Sequence, residues 1–490
     1  MPESMNFSFM QLNLPLLIPM CISLLGGIVL LGVGIFSKTK SRELYIAISM
    51  LFVILNLGFL ILEGNPTRQF GFFNLLLVDG YSLLVQFIIL ISTFIILLFL
   101  MHKNTLEETQ HAEFYALLLF AIAGFGFMVS SENLILILLG LECASLSLYT
   151  LIALHNKAQA FEAAIKYFIM GALATALYAF GALLLYATTG SIEISHIALF
   201  LDKESSEFSF LVLAGFIFLF CALGFKISIV PFHTWGPDVY EGSNSLLAAF
   251  IAIAPKIATL GVLIRILGVF TQSHNPFVEY TLYAFVVLTI SVPNLIALVQ
   301  KDVKRMLAYS SISHSGFVLG AILINAPEIV FLYWFFFIFA NLGAFGILWL
   351  SIDCKDTNND SHTFESLSGL IKTNPTLAIL LTLFMFALGG IPPFCVFWGK
   401  MYLMQSVLSA DYVYLAVIMA INSILAAFYY LKVIIYVFAK EPRDAIPHRV
   451  SLETSSIFAL GITTIVSIGC IFMVQNLLDI IANYIGSGGF

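Results

Sequence analysis

The chain has 490 residues, of which 60% are hydrophobic, 14% aromatic and only 10% charged. A soluble globular protein carries about 25% charged residues, so soluble enzymes, nucleic-acid binders and disordered scaffolds are excluded together. The formal net charge of -7 decides nothing further, because polarity in a membrane protein is local; the chain reads as a polytopic membrane protein whose solvent is mostly lipid.

A spanning helix needs about 20 apolar residues. Fourteen such runs are predicted, near 14–36, 43–63, 81–101, 114–130, 134–154, 160–187, 208–230, 246–270, 281–299, 304–324, 327–350, 376–409, 412–438 and 454–480. Continuous apolar runs favour helices, since barrel strands would alternate. The amino terminus has no basic region ahead of its apolar run and reads as a retained first helix rather than a cleaved signal. Cys21, Cys143, Cys221, Cys354, Cys395 and Cys470 are scattered, with no metal-like or disulfide-like spacing, and read as small apolar fillers.

Loop charges orient the spans. With the amino terminus outside, the odd-numbered loops hold thirteen basic residues: Lys38, Lys40, Arg42, Lys103, Lys157, Lys301, Lys304, Arg305, Lys355, Lys372, Lys440, Arg443 and Arg449. The even-numbered loops hold only Arg68 and Lys203. This bias satisfies the positive-inside rule with both termini outside. A miscounted helix in mid-chain would scramble it.

Six basic residues then fall inside spans: Lys166, Lys226, Lys256, Arg265, Lys400 and Lys432. Charge at the bilayer centre costs about 2.5–3.5 kcal/mol and usually marks an ion pathway. Lys432 and Arg265 lie near span ends, and snorkelling to the nearer surface accounts for them. Lys166 follows Glu162 by four residues, so a local ion pair is one reading and a functional group the other. Glu142 and Lys256 lie about 12 and 15 Å into their spans and face a partner or a wet cavity. Lys226 and Lys400 flank helix breaks, at Pro231 with Gly236–Pro237 and at Gly389–Gly390 with Pro392–Pro393. Irregular backbone at membrane depth survives only inside protein or beside water, which makes these two lysines ion-handling candidates. His314, also about 15 Å deep, reads as a proton relay. His233 reads as structural, and Asp238 and Glu241 either cap the short segment after the first break or counter Lys226.

The breaks fall in helices 7 and 12, the fourth member of two successive five-helix units. Five is odd, so the second unit is inverted relative to the first, a transporter architecture. The predicted fold is an all-α polytopic membrane protein with about fourteen transmembrane helices and two inverted five-helix repeats. Its parts are residues 1–113 (three helices), 114–270 (first repeat, helices 4–8), 271–438 (second repeat, helices 9–13) and 439–490 (helix 14).

The strings GLECASLSLYTLIAL, AAIKYFIMGA, FKISIVPFHTWGPDVYEGS, KRMLAYSSISHSGF and GGIPPFCVFWGKMYL occur in this order. They resemble subunit N of bacterial proton-pumping NADH:quinone oxidoreductase (complex I), in the antiporter-like membrane subunit family. The resemblance runs from about residue 80 onward, and PFHTWGPDVYEG is its most specific string. SNSLLAAF after that string departs from the family, which usually carries prolines there. The resemblance implies that Glu142, Lys166, Lys226, Lys256 and Lys400 match proton-translocation residues and that His314 lies on the axis between half-channels. It implies no cofactor in this subunit, neighbouring complex I membrane subunits, and a peripheral redox arm carrying flavin and iron–sulfur clusters. It also implies the bacterial inner membrane, with both termini periplasmic. The expected mechanism is a midplane Lys/Glu/His charge relay with Glu142 beside Lys226. The competing readings are a cation/proton antiporter subunit of a related multisubunit transporter and a purely structural membrane subunit.

Overall fold

The computed structural model describes residues 12–37, 41–102, 106–202, 208–273, 275–353, 362–441 and 452–487. Lys38, Lys40, Lys103, Lys203, Lys355, Arg443, Arg449 and Cys354 lie outside the described residues. The helices are α1 (Ile18–Phe36), α2 (Arg42–Glu63), α3 (Gly80–Leu100), α4 (Ala112–Val129), α5 (Leu134–Ala153), α6 (Ala158–Thr189) and α7 (Ile194–Leu201). There follow α8 (Phe210–Ile227), α9 (Trp235–Gly242), α10 (Ser245–Thr271), α11 (Pro276–Leu298), α12 (Val303–Leu323) and α13 (Pro327–Leu348). The rest are α14 (Leu370–Thr373), α15 (Pro375–Gly389), α16 (Cys395–Ser409), α17 (Val413–Ala439), α18 (Thr454–Gly469) and α19 (Val474–Ser487). A small antiparallel hairpin, β1 (Gln69–Gly71) and β2 (Leu76–Val78), joins α2 to α3.

Among the described residues, thirteen helices are long and apolar enough to cross a membrane. They correspond to thirteen of the predicted runs. The fourteenth, 376–409, is split into α15 and α16, of 15 residues each. Each half reaches only about 22 Å, short of a hydrocarbon core. The protein is a multi-pass membrane protein, and its outer helices show why: α1, α2, α6 and α17 expose Phe36, Leu62, Leu173 and Ile424 at 85%, 82%, 62% and 64%. Such surface is stable in lipid and not in water.

The first break is narrower than expected. Helix α8 stops at Ile227, Ser228 adopts a left-handed conformation, and α9 starts at Trp235. Pro231 lies in the gap. Gly236–Pro237 does not interrupt anything: Pro237 is in the first turn of α9, where a backbone N–H has no helical partner to lose. The second break runs from Gly390, at φ +76°, to Phe394. The last predicted run also differs. Helix α18 ends at Gly469, a short 3₁₀ turn spans Cys470–Phe472, and α19 is a separate helix. Its Val474, Ile481 and Ile485 are buried while Gln475, Asn476 and Asp479 are exposed. Polar residues at that spacing line one face of α19, which the apolar run alone concealed.

Cross-loop contacts show which loops share an end of the bundle. At the basic end, Arg42 bonds the Leu100 and His102 carbonyls, Lys304 donates to the Ser243 carbonyl at 2.8 Å, and Asn244 donates to Glu108 at 3.2 Å. At the opposite end, Arg68 pairs with Glu132, Thr271 bonds Asn325 at 2.7 Å, and Tyr412 bonds Glu279. Among the described residues, these contacts join odd-numbered loops only to odd and even-numbered only to even, the pattern that the charge bias requires.

Helix α10 is the axis of the fold. Every one of its residues except Gly268 is buried, and it packs on α3, α4, α8, α9, α12 and α13. Beside it, α4 and α5 meet backbone to backbone. A Cβ at Gly124 would lie 2.5 Å from the Ala144 nitrogen, and one at Gly140 would lie 2.5 Å from the Met128 nitrogen. Small residues at a helix contact allow this approach in lipid, and it sets the rotation of α5.

His102, at the basic end past α3, gives a stability prediction. It is 5% exposed. Burial holds its imidazole below the ordinary value of 6.5, opposed by Glu453 and reinforced by the Arg42 guanidinium. The folded state therefore binds this proton more weakly than the unfolded chain. The stability this involves is present above the ordinary histidine value and is lost as pH falls below it. Thermal midpoints measured from about pH 7.5 to about pH 5.5 should fall less steeply in His102→Asn than in wild type. Equal slopes would exclude His102 as a source of acid lability.

Candidate functional site

Four buried ionisable groups lie on α8, α10, α12 and α16, helices that pack on one another in that order. Lys226 is 3% exposed, Lys256 1%, His314 3% and Lys400 4%. Each is satisfied by uncharged partners, as buried charges without counter-ions must be.

Lys226 lies in the last turn of α8, before the break. Its amine donates to Ser145 Oγ at 2.7 Å and to Tyr149 Oη at 3.3 Å. It also lies 5.0–5.5 Å from the ring centres of Tyr167, Tyr149 and Phe225, a desolvated cation–π box. Glu142, Ser145 and Tyr149 are spaced i, i+3 and i+7 on α5, hence on one helix face. The expected direct pairing of Glu142 with Lys226 is not formed. The half-buried Glu142 carboxylate instead accepts from Thr175 of α6. Ser145, one turn further along α5, takes the lysine. The sequence placed Glu142 and Lys226 in one region, but helix rotation gives their charged tips different partners.

Lys256 follows Pro255 within α10. That proline supplies no N–H, so the Ile251 carbonyl loses its helical donor beside the lysine. The amine donates to Ser311 Oγ of α12 at 2.8 Å. One turn along α12, His314 bonds Tyr333 through Nδ1 at 2.6 Å and Tyr430 through Nε2 at 3.2 Å. Tyr430 is held in turn by Ser310. Tyr333 packs against Gly399, where a Cβ would meet its ring at 3.0 Å, and Gly399 precedes Lys400. Lys400 donates to the Gly389 carbonyl at 3.1 Å, across the second break, and lies 5.2 Å from the Phe317 ring centre. A cleft of about 710 Å³ between α16 and α17 reaches Lys400 and is lined by Met404, Gln405, Ser409 and Ser423.

Lys166 is not brought into this row. Its side chain is 44% exposed on α6 and pairs with Glu162 at 2.6 Å and Asp238 at 2.8 Å. Asp238 and Glu241 both bind Arg305, at 2.8 and 2.6 Å. These two acids therefore serve neither as caps nor as counter-ions to Lys226. They join α6, α9 and α12 in one ion-pair network. His233 lies in the first break, 6.4 Å ring to ring from Tyr309.

The two residues expected to snorkel part ways. Lys432 reaches the Gln300 carbonyl at 2.8 Å and lies 4.3 Å over the Phe364 ring, at the basic end as expected. Arg265 does not snorkel. It is 1% exposed, pairs with Asp79 at 2.6 Å and donates to the Val129 carbonyl at 3.1 Å. Asp79 precedes α3, 186 positions away, and no local pattern links the two.

The residues that sequence reasoning passed over are the hydroxyl partners Ser145, Tyr149, Ser311, Tyr333 and Tyr430. A signal existed for three of them: Ser145 and Tyr149 share the Glu142 face, and Ser311 precedes His314 by one turn.

Residues 131–426, which include all six candidate residues, match the family model described as "NADH:quinone oxidoreductase/Mrp antiporter, TM". The NADH-quinone oxidoreductase subunit N of Helicobacter hepaticus is 72% identical over 99% of this chain and 100% of its own. That of Sulfurimonas denitrificans is 44% identical over the whole of both. A chain of respiratory complex I from Thermus thermophilus with bound aureothin superposes with a TM-score of 0.80 at 28% identity, covering 96% of this chain and 100% of that one. A chain of the Mrp complex from a Dietzia species has a TM-score of 0.81 at 18% identity, covering 96% and 98%, which is a likeness of fold alone. Full-length identity and the family model agree: the chain belongs to the NADH-quinone oxidoreductase subunit N family of antiporter-like membrane proteins.

Proposed function

We propose that this chain is the proton-translocating, non-redox membrane subunit of an NADH:quinone oxidoreductase, and that protons pass along Lys226, Lys256, His314 and Lys400. The observation that carries this reading is the row itself. Four ionisable groups, none more than 4% exposed, are bound to hydroxyl and carbonyl groups rather than to carboxylates. A structural ion pair would hold its charge permanently. A lysine bound to hydroxyls can lose its proton and keep its hydrogen bonds, since the neutral amine still donates and accepts.

Glu142 lies one turn from Ser145, which holds Lys226, and is the switch in this scheme. Rotation of its carboxylate from Thr175 towards Lys226 would favour the charged lysine, and return to Thr175 would favour release. A charge pair at about 4 Å in an effective dielectric of about 20 is worth about 4 kcal/mol. That corresponds to about three units of proton affinity, enough to load and unload near neutral pH. Lys166 tunes the first unit from outside through Asp238 and Arg305. The cleft at Lys400 supplies the exchange route at the far end of the row.

The two breaks follow from the same scheme as the fourth helices of two inverted five-helix repeats, residues 114–270 and 271–438, between a three-helix segment, 1–113, and a terminal part, 439–490. The driving energy enters from elsewhere: other complex I membrane subunits and a peripheral arm with flavin and iron–sulfur clusters, none of these cofactors being held by this chain. The setting is the bacterial inner membrane, with the basic end inside and both termini periplasmic.

The test replaces Lys226 or Lys400 with Ala in the whole complex and, once assembly is verified, measures quinone reduction and proton uptake in vesicles. Loss of pumping is expected for each. Undiminished pumping in either would remove that lysine from the pathway. Sodium-dependent transport without quinone-linked pumping would instead favour the cation/proton antiporter.

A further inference from the structure

Lys226 stands at the edge of the first break, and the backbone just past it is held by a residue that the relay does not use. The last turn of α8 closes on itself: Ser228 N–H donates to the Phe225 carbonyl at 3.0 Å and Ile229 N–H to the Gly224 carbonyl at 2.9 Å. Trp235, at the start of α9, reaches back to donate Nε1–H to the Phe225 carbonyl at 2.9 Å. Val230 comes next, and Pro231 after it has no N–H to offer. The Val230 N–H leaves α8 altogether and donates to Thr289 Oγ1 of α11 at 3.1 Å. Val230 is 7% exposed and Thr289 0%, so water does not stand in for this bond. A backbone donor left unmade at such a place is costly.

Thr289 also stands where α12 meets α11 backbone to backbone. A Cβ at Gly316 of α12 would come within 2.9 Å of the Thr289 carbonyl carbon and of the Ile290 nitrogen. Small residues permit this approach inside a membrane. Three residues before Gly316, Ser313 donates its hydroxyl to the Ile290 carbonyl at 3.4 Å. The same stretch of α12 carries Ser311, which accepts from Lys256, and His314. One threonine therefore touches, on one side, the backbone four residues after Lys226 and, on the other, the helix that holds the Lys256 and His314 groups.

We propose that Thr289 is a positioning residue, whose hydroxyl pins the first break to the α11–α12 pair and so keeps the Lys226 amine on Ser145 and Tyr149. The inference rests on the relay reading above. Thr289 exchanges no proton with the relay and acts only through the Val230 backbone. It suits that task. A β-branched side chain has few rotamers open to it in a helix, so the α11 backbone fixes where the hydroxyl stands. Lys226 needs such a brace, because past Ile229 the chain has left the α8 ladder and Pro231 adds no donor. A proton-transfer group must stay within hydrogen-bond reach of its partner. The Lys226–Tyr149 bond, at 3.3 Å, is already long for its type, and a small shift of the turn breaks it.

The experiment uses the intact complex reconstituted in vesicles, with proton uptake and quinone reduction measured across a range of pH. Thr289→Val keeps the branched shape and removes the acceptor. Thr289→Ser keeps the acceptor and removes a methyl group. The proposal predicts a loss of pumping of roughly tenfold in Thr289→Val, less than the hundredfold that a misplacement of about 1 Å can cost. It also predicts a displaced pH–rate profile in that variant and near-wild-type behaviour in Thr289→Ser. A packing role predicts the reverse order, because serine leaves a cavity where valine does not. Thr463→Val is the control. Thr463 is buried on α18 and its hydroxyl is spent on the Ala459 carbonyl of its own helix, at 3.1 Å, so this variant is expected to pump normally. Full pumping in Thr289→Val while Lys226→Ala is dead would overturn the positioning role and leave the relay standing. Full pumping in both would overturn both. Serine as impaired as valine, a loss in Thr289→Val with an unmoved pH–rate profile, or equal losses in the Thr289 and Thr463 valine variants would assign the effect to packing and overturn the positioning role.

Discussion

Lys256→Met is expected to assemble normally and to lose about a hundredfold or more in pumping-linked turnover. Helix α10 is buried along almost its whole length, so the substitution must conserve volume. Methionine keeps an unbranched stem in the same space, whereas alanine would add a cavity cost and blur the result. What methionine removes is the amine that donates to Ser311. A missing proton-transfer group costs about 10²–10⁴ in rate. Lys256→Arg sharpens the expectation. Arginine keeps the positive charge but does not deprotonate in proteins. If the site works by releasing a proton, arginine is as inactive as methionine. If it works only as a fixed charge, arginine restores turnover. Activity measured with assembly confirmed in both variants separates the two, and a pumping Lys256→Arg enzyme would remove proton release from this position.

Arg265→Ala is expected to destabilise the protein by about 3–5 kcal/mol, because it leaves the Asp79 carboxylate buried without a counter-charge. Both groups are nearly inaccessible, at 1% and 3% of the side chain. The pair has a second function. Asp79 caps α3 by accepting from the Ser82 N–H at 3.0 Å, and Arg265 also holds the Val129 carbonyl at the end of α4. Three helices therefore meet at one guanidinium. The double variant Asp79→Asn with Arg265→Met should recover most of the loss. Asparagine still caps the helix, and no unpaired charge remains. Thermal midpoints of the purified complex for the two single variants and the double variant check this. A double variant no more stable than Arg265→Ala would show that capping and packing, rather than the buried charge, account for the loss.

These two sites were unequally legible. Lys256 announces itself: a lysine about 15 Å inside an apolar run has no surface within reach. Arg265 looked dispensable, because it lies near a span end and a long side chain can snorkel. Its partner stands 186 positions away, where no periodicity could point to it. Glu142 shows the same limit at finer scale. Depth placed it with Lys226, but the rotation of α5 and α6 gave the carboxylate to Thr175 and the amine to Ser145 and Tyr149. Lys166 sits at a depth that suggests burial and yet faces outward, on the exposed side of α6.

The sequence alone therefore determined the crossings, the segregation of basic loops, the positions of the two breaks and the set of ionisable residues held within the membrane. Each of these is a one-dimensional requirement: lipid demands about 20 apolar residues per crossing and penalises every charge that lacks a reason to be there. The tertiary structure decided which buried charges are ion-paired and which rest on hydroxyls, that the Gly236–Pro237 pair opens a helix rather than breaking one, and that α19 is a separate amphipathic helix. Those outcomes depend on how neighbouring helices are rotated and on what lies across the interface at the same depth. Packing between distant segments sets both, and hydropathy along a single run carries neither.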